Sequence, residues 1–299
     1  MREGYKFKED PFGLAPIWAA MLDIYKEIAL VCDRHNLRYY VSDGTLIGAI
    51  RHKGFIPWDD DFDMSMPRPD YEMFIKIART ELPSHLRFLN WKNTPEFPLL
   101  FGKVHDIRKE RILALEKETG RTLSNGLFVD IFPIDGYPDS KIEIATTRFK
   151  VALLTCIVRF KATHFLQQTT KGKAAWLGGC LLSCLAPWMS FDKCMRKCEG
   201  YLCRHMYETS YGTGRADLVL HMLNRPALLR QAWGDGVLVE FNRTSVRVPS
   251  GYDEYLHSVY GDYMVLPPES QRHPQHDYGY RCPWWLGPTK LIKGGNERV

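Results

Sequence analysis

Between residues 13 and 36 the apolar positions Ile17, Ala20, Met21, Ile24, Ile28 and Val31 recur at intervals of three and four, which predicts an amphipathic helix ending near Asn36. Leu37-Arg38-Tyr39-Tyr40-Val41-Ser42 changes the period and reads as a strand of β-forming side chains. Asp43-Gly44-Thr45 breaks it and opens a short helix through Arg51. A second strand, Phe62 to Met66, alternates apolar and polar positions until Pro67-Arg68-Pro69 ends it. A helix carrying Tyr71, Phe74, Ile75 and Ala78 follows. Further strands are expected near 98–107 and 127–132, residues 139–210 read as mostly helical, and strand returns at 236–248 before a helix from Tyr252 to Tyr260. There is no internal repeat or low-complexity linker to mark a domain boundary.

Composition changes this picture little. With 299 residues, 45% hydrophobic and 25% charged, the chain excludes disorder, collagen and coiled-coil arrays and suits one large domain or two interdependent ones. A net charge of +5 is too weak to argue for nucleic acid, so no nucleic-acid partner is expected. The 13% aromatic share suits sugars, cations or a membrane surface equally. The first ten residues hold no apolar signal core, so a cytoplasmic protein is expected. Eight cysteines then read as thiols, crowded at Cys180, Cys184, Cys194, Cys198 and Cys203. A structural Zn²⁺ site from Cys180/Cys184 and Cys194/Cys198 competes with the simpler reading of small thiols on buried helix faces. The uncharged stretch Ala174 to Phe191 is short for a span and is broken by Gly178, Gly179 and Pro187. With Lys171, Lys173 and Lys193 around it, it reads either as a buried helical hairpin or as a peripheral contact with the inner face of an anionic membrane.

The chemistry concentrates in residues 42–63. Asp59, Asp60, Asp61 and Asp63 put four carboxylates within five positions, a repulsion that a cation must offset. On a strand Asp61 and Asp63 share a side while Phe62 turns to the other, and such paired oxygen ligands suit Mg²⁺, with Mn²⁺ as the alternative, bridging substrate phosphates. The Gly44-Thr45 turn at a helix start supplies amides and a hydroxyl for an anion. An anion turn followed by an Asp-x-Asp strand is the layout of phosphoryl or nucleotidyl transfer. Arg51 and Lys53, between the two halves, are candidates to steady a diphosphate.

Asp130 lies inside an otherwise apolar strand, where an unpaired carboxylate is expensive, and reads as a third metal ligand or as the general base for an attacking hydroxyl. Asp135, beside Gly136, reads as a turn residue. Lys103 and His105 share one strand face and line either the same cleft, Lys103 toward phosphate, or an ordinary solvated surface.

The block from Asp43-Gly44-Thr45 through Trp58-Asp59-Asp60-Asp61-Phe62-Asp63 resembles the signature of the LicD family, which includes fukutin and fukutin-related protein, within the polymerase-β-like nucleotidyltransferase superfamily. Phe128-Val129-Asp130-Ile131-Phe132-Pro133 and the closing stretch Tyr260-Gly261-Asp262-Tyr263 to His273 are similar to the family's later motifs, so the resemblance runs from about 30 to 276. It implies an α+β fold with a mixed nucleotidyltransferase sheet at 30–138, a mainly helical insertion at 139–235 that would meet the acceptor or membrane, and a segment at 236–299 completing the site, all in one transferase unit. It implies transfer of phosphocholine from CDP-choline to a hydroxyl of a surface glycan or lipid-linked glycan, with Mg²⁺ and release of CMP. The matching Gly44-Thr45 turn would hold the diphosphate, and Asp61 and Asp63 the metal. Arg272 and His273 would reach phosphate, and Tyr278, Tyr280, Trp284 and Trp285 offer an aromatic wall for choline. Another CDP-alcohol, of ribitol or glycerol phosphate, is the alternative within the fold, and a non-catalytic glycan- or membrane-binding protein the alternative outside it.

Overall fold

The computed structural model of the chain describes residues 10–94, 97–108, 111–113, 127–161, 188–215, 228–274 and 278–280. Helix α1 (Ala15–Arg34) opens with Pro16 in its first turn, and the Asp10 carboxylate receives the amides of Leu14 and Ala15 at 2.5 and 3.0 Å. Strand β1 (Tyr40–Val41) leads into α2 (Asp43–Ile47) and a π-helical turn at Gly48–His52. Then come β2 (Asp63–Pro67), α3 (Arg68–Glu81), β3 (Leu86–Leu89), β4 (Gly102–Asp106), β5 (Arg111–Leu113) and β6 (Leu127–Tyr137). The later elements are α4 (Lys141–Lys161), α5 (Phe191–Leu202), β7 (Gly212–Arg215), β8 (Leu228–Leu229), α6 (Arg230–Trp233), β9 (Val237–Phe241), β10 (Thr244–Val248), α7 (Tyr252–Tyr260) and β11 (Tyr278–Tyr280).

One mixed sheet organises the chain in the order β1-β2-β6-β4-β3, with β7 joined to β6 and β8 to β7. The β2–β6 pair is parallel and the other pairs are antiparallel. One sheet face is apolar: Met64, Met66, Val104, Val129 and Ile131 are fully buried there, and α1 and α3 pack with these strands. The other face carries Asp63, Lys103, His105 and Asp130. A smaller core joins α4 to α5 through Val151, Leu154, Ile157, Val158, Cys194, Met195 and Cys198.

An architecture of mixed strands and helices agrees with the α+β expectation. The helices at α1, α3 and α7 and the β9–β10 hairpin fall where the periodicity puts them. The expected strand at 37–42 is cut to Tyr40–Val41, because its partner β2 reaches Pro67, which has no amide to offer, two residues past the last pair. Strand β6 runs five residues past its expected end. It keeps finding partners along its length: β4 over 127–131, β2 over 130–134 and β7 over 134–137. Strands β3, β7 and β8 have no counterpart in the sequence reading.

Candidate active site

Three strands bring the chemistry into line. Asp63 on β2 stands in register with Asp130 on β6, and Lys103 on β4 faces the same Asp130 from the other side, so all three project from one face. The Lys103 ammonium lies 2.5 Å from Asp130 Oδ1 and 3.6 Å from the centre of the Phe128 ring, with Phe101 at 5.4 Å. The sequence turned Lys103 toward phosphate; the structure turns it toward Asp130. Before Asp63, Phe62 is driven into the core, 5.2 Å from Tyr25 and 6.0 Å from Phe241, as the alternation requires.

Asp59 is a site residue that the sequence reading passed over because it precedes the strand. Trp18 on α1 donates its indole N–H to the Asp59 carbonyl at 2.7 Å, which fixes the turn. The Asp59 side chain folds back onto Gly44, where any Cβ would come within 2.7 Å of its Oδ2. Burial, the charge of Asp61 and a hydrogen bond between the two carboxyl groups hold the Asp59 pKa well above the ordinary carboxylate range.

The Gly44-Thr45 turn also serves the protein itself. Thr45 Oγ1 accepts the backbone N–H of Asp63 at 2.9 Å, and Ser42 donates its amide to the Asp63 carbonyl at 3.0 Å, so this turn fixes the start of β2. Asp43, at φ 50°, accepts from the hydroxyls of Tyr255 and Tyr260 at 3.2 and 2.9 Å. The sequence assigned Asp43 no part, and its strained backbone and two distant tyrosines give no local signal.

The basic residues divide. Arg51 donates to the backbone carbonyls of Tyr263 and Val265 at 2.5 and 3.3 Å, and burial and the nearby Arg272 lower its pKa. Arg272 bonds the Pro267 carbonyl at 2.8 Å and sits 5.8 Å over the Trp58 ring. His52, 6.3 Å from the same ring, is held down to a pKa of about 4 by burial and Arg51. Arg51, Arg272 and Trp58 thus gather beside the acidic turn. Lys53 is exposed at φ 57°, where its carbonyl receives the Asn242 amide, and His273 is exposed near Pro274. Asn242 also accepts the Phe55 amide at 3.0 Å, while its side chain leaves no room for a Cβ at Gly54.

His105 is 6% exposed, its pKa lowered to about 4 by burial and Arg87, and neither ring nitrogen finds a hydrogen bond among the described residues. Asp135 is not a turn residue: it lies within β6 on the face opposite Asp130, where Arg68 holds both its oxygens at 2.7 Å. The reasoning applied to Asp130, that a carboxylate in an apolar strand needs a partner, would have found this pair too.

Trp284 and Trp285, Cys180 and Cys184, and 174–187 of the uncharged stretch lie outside the described residues. Tyr278 and Tyr280 belong to β11, paired with β5. Cys194 and Cys198 are buried in the α4–α5 core, as the thiol reading expects. No described helix is long and apolar enough to cross a membrane.

Among the described residues no three His, Cys, Asp or Glu side chains form a ready metal cage. The carboxylates stand as two couples, Asp59 with Asp61 and Asp63 with Asp130. An all-oxygen donor set, in which burial and the neighbouring Asp61 charge raise the pKa of Asp59, has the chemistry that a hard divalent cation relieves, so these residues fit Mg²⁺.

Clustered acids on a sheet face, with guanidinium groups and an indole beside them, define a site suited to phosphate esters. The comparisons with known proteins agree. Residues 36–152 match the family model described as LicD/FKTN/FKRP, nucleotidyltransferase domain. Over 267 residues the chain is 28% identical to the lipopolysaccharide cholinephosphotransferase LicD of Haemophilus influenzae, covering 85% of this chain and 92% of that protein. Shorter stretches resemble uncharacterised proteins of Rickettsia typhi, 34% identical over 58 residues (19% of each chain), and Rickettsia prowazekii, 35% over 51 (17% of this chain, 19% of that one). Over residues 36–152 the chain is thus similar to the LicD family.

Proposed function

We propose that the protein is an enzyme that transfers phosphocholine from CDP-choline to a hydroxyl of a bacterial surface glycan, a precursor of lipopolysaccharide, teichoic acid or capsule, and releases CMP. The observation that supports this most is the likeness to the Haemophilus influenzae cholinephosphotransferase, which covers 85% of this chain and 92% of that protein. The acceptor oxygen forms a bond to the phosphorus bearing choline as the bond from that phosphorus to the CMP oxygen breaks, and the acceptor proton passes to a base.

Asp61 and Asp63 would hold Mg²⁺, whose charge would favour departure of CMP. Asp130 would either complete that set or take the acceptor proton. Arg51 and Arg272 flank the acids with cationic charge for the diphosphate, and Arg51, tied to the carbonyls of Tyr263 and Val265, positions the C-terminal loop against the acidic turn. The reaction would run on the cytoplasmic side, at the inner face of the membrane if the acceptor is lipid-linked.

Calorimetric titration with CDP-choline, CDP-ribitol and CDP-glycerol, paired with CMP release in the presence of a lipid-linked glycan, tests the assignment. CDP-choline should bind and turn over in preference to the others. Failure to bind CDP-choline overturns the phosphocholine reading, and binding of CDP-ribitol or CDP-glycerol in its place moves the enzyme to another phospho-alcohol.

A further inference from the structure

Lys103 occupies the position that a cation serving Asp130 would take. Its Nζ rests on a carboxylate oxygen at 2.5 Å and on the Phe128 ring at 3.6 Å, and the two side chains are only 14% and 13% exposed. Across the parallel ladder Asp130 also faces Asp63, so the ammonium neutralises the carboxylate that would otherwise repel its neighbour. With the ammonium on Oδ1, a divalent cation approaching the same carboxylate meets a positive charge already in place.

We propose that Lys103 is a tethered counter-ion that competes with the divalent cation for Asp130. Engagement of Asp130 by the metal opens the Lys103–Asp130 contact and leaves the ammonium to pair with a phosphate of the nucleotide donor. Metal and nucleotide then bind cooperatively, because the phosphate gives the displaced ammonium a new partner, and the coupling is reciprocal. This inference rests on the metal-dependent transferase reading, but its test does not require turnover.

The full-length protein and its K103M, K103R and D130N variants are titrated with Mn²⁺, followed by electron paramagnetic resonance, with and without CDP as a diphosphate probe. Methionine keeps the side-chain stem over Phe128 and removes the charge; circular dichroism checks each fold. K103M should bind Mn²⁺ alone roughly fivefold to tenfold more tightly than wild type, the scale of a partly buried ion pair. It should also lose most of the tightening that CDP produces. K103R should keep that coupling, and in the D130N background the K103M effect should vanish. A bystander ammonium would also repel Mn²⁺, but its removal would leave the CDP coupling and the D130N background response intact; either result overturns the proposal. So does unchanged or weaker Mn²⁺ binding by folded K103M, or no Mn²⁺ binding by wild type. A wild type that binds Mn²⁺ and CDP cooperatively yet releases no CMP from any CDP-alcohol fails the functional reading alone.

Discussion

Replacing Arg68 by Met keeps the length of the side chain and removes the guanidinium that holds both oxygens of Asp135 at 2.7 Å. Both groups are enclosed, with side chains 10% and 5% exposed, and the same guanidinium reaches Glu72 and Glu199 at 3.4 Å. Removing one partner of a buried pair strands the other's charge, at about 3–5 kcal/mol. Lys92, 3.1 Å from Glu199, still serves the outer carboxylates but is not bonded to Asp135, so the lower half of that range is expected. An unfolding entropy of about 2.1 cal/mol/K per residue makes each kcal/mol worth roughly 1.6 °C in a chain of this length, so the melting temperature should fall by about 5–6 °C. Scanning calorimetry and urea titration measure it, and the double variant R68M/D135L should recover most of the loss because no orphan charge remains. A single variant costing under about 1 kcal/mol would refute the view that this pair secures α3 to β6.

Asp61→Ala and Asp63→Ala should each reduce CMP release by at least about a hundredfold while leaving the melting temperature within a few degrees, since neither side chain belongs to the core; near-normal turnover in either would remove it from the site. Asp59→Asn should raise the melting temperature at neutral pH. Folding raises the pKa of Asp59, so its ionisation as pH rises costs stability, and an amide over Gly44 has no such cost. A lower melting temperature would count against the raised pKa of Asp59. His105 is lowered from 6.5 to about 4, so below pH 6.5 the unfolded chain binds the extra proton. Its contribution therefore makes stability fall progressively between pH 6.5 and 4, and His105→Leu should flatten that part of the urea-derived pH profile. Gly48→Ala should destabilise by about 1–3 kcal/mol, because the new methyl would stand 2.5 Å from the rigid Gly54 carbonyl oxygen.

What the sequence makes legible is what period and local chemistry encode. Phe62 turned inward between Asp61 and Asp63, the break at Asp43, and the helix at Tyr252–Tyr260 all follow from neighbours a few residues away. What it hides is set by register. Nothing near Lys103 announces that β4 will lay it opposite Asp130, or that a parallel neighbour will bring Asp63 to the same row. Strands as short as β8, and β3 with its single exposed arginine between apolar residues, owe their form to a waiting sheet edge rather than to their own pattern. The Gly44-Thr45 turn is legible as a feature but not by its neighbour, since nothing local tells that its hydroxyl accepts the amide of Asp63.

The Asn242 clamp carries a lesson about boundaries. The stretch that matches the family model ends at residue 152, yet the loop at its heart is fastened by Asn242, Asp43 is held by Tyr255 and Tyr260, and Arg51 is anchored on Tyr263 and Val265. The stretch matched by the family model is thus smaller than the unit of folding. A fragment cut to residues 36–152 would carry every acid of the site and lack the braces that aim them. A truncation after residue 236 would remove those braces, because the chain must return to close its own beginning.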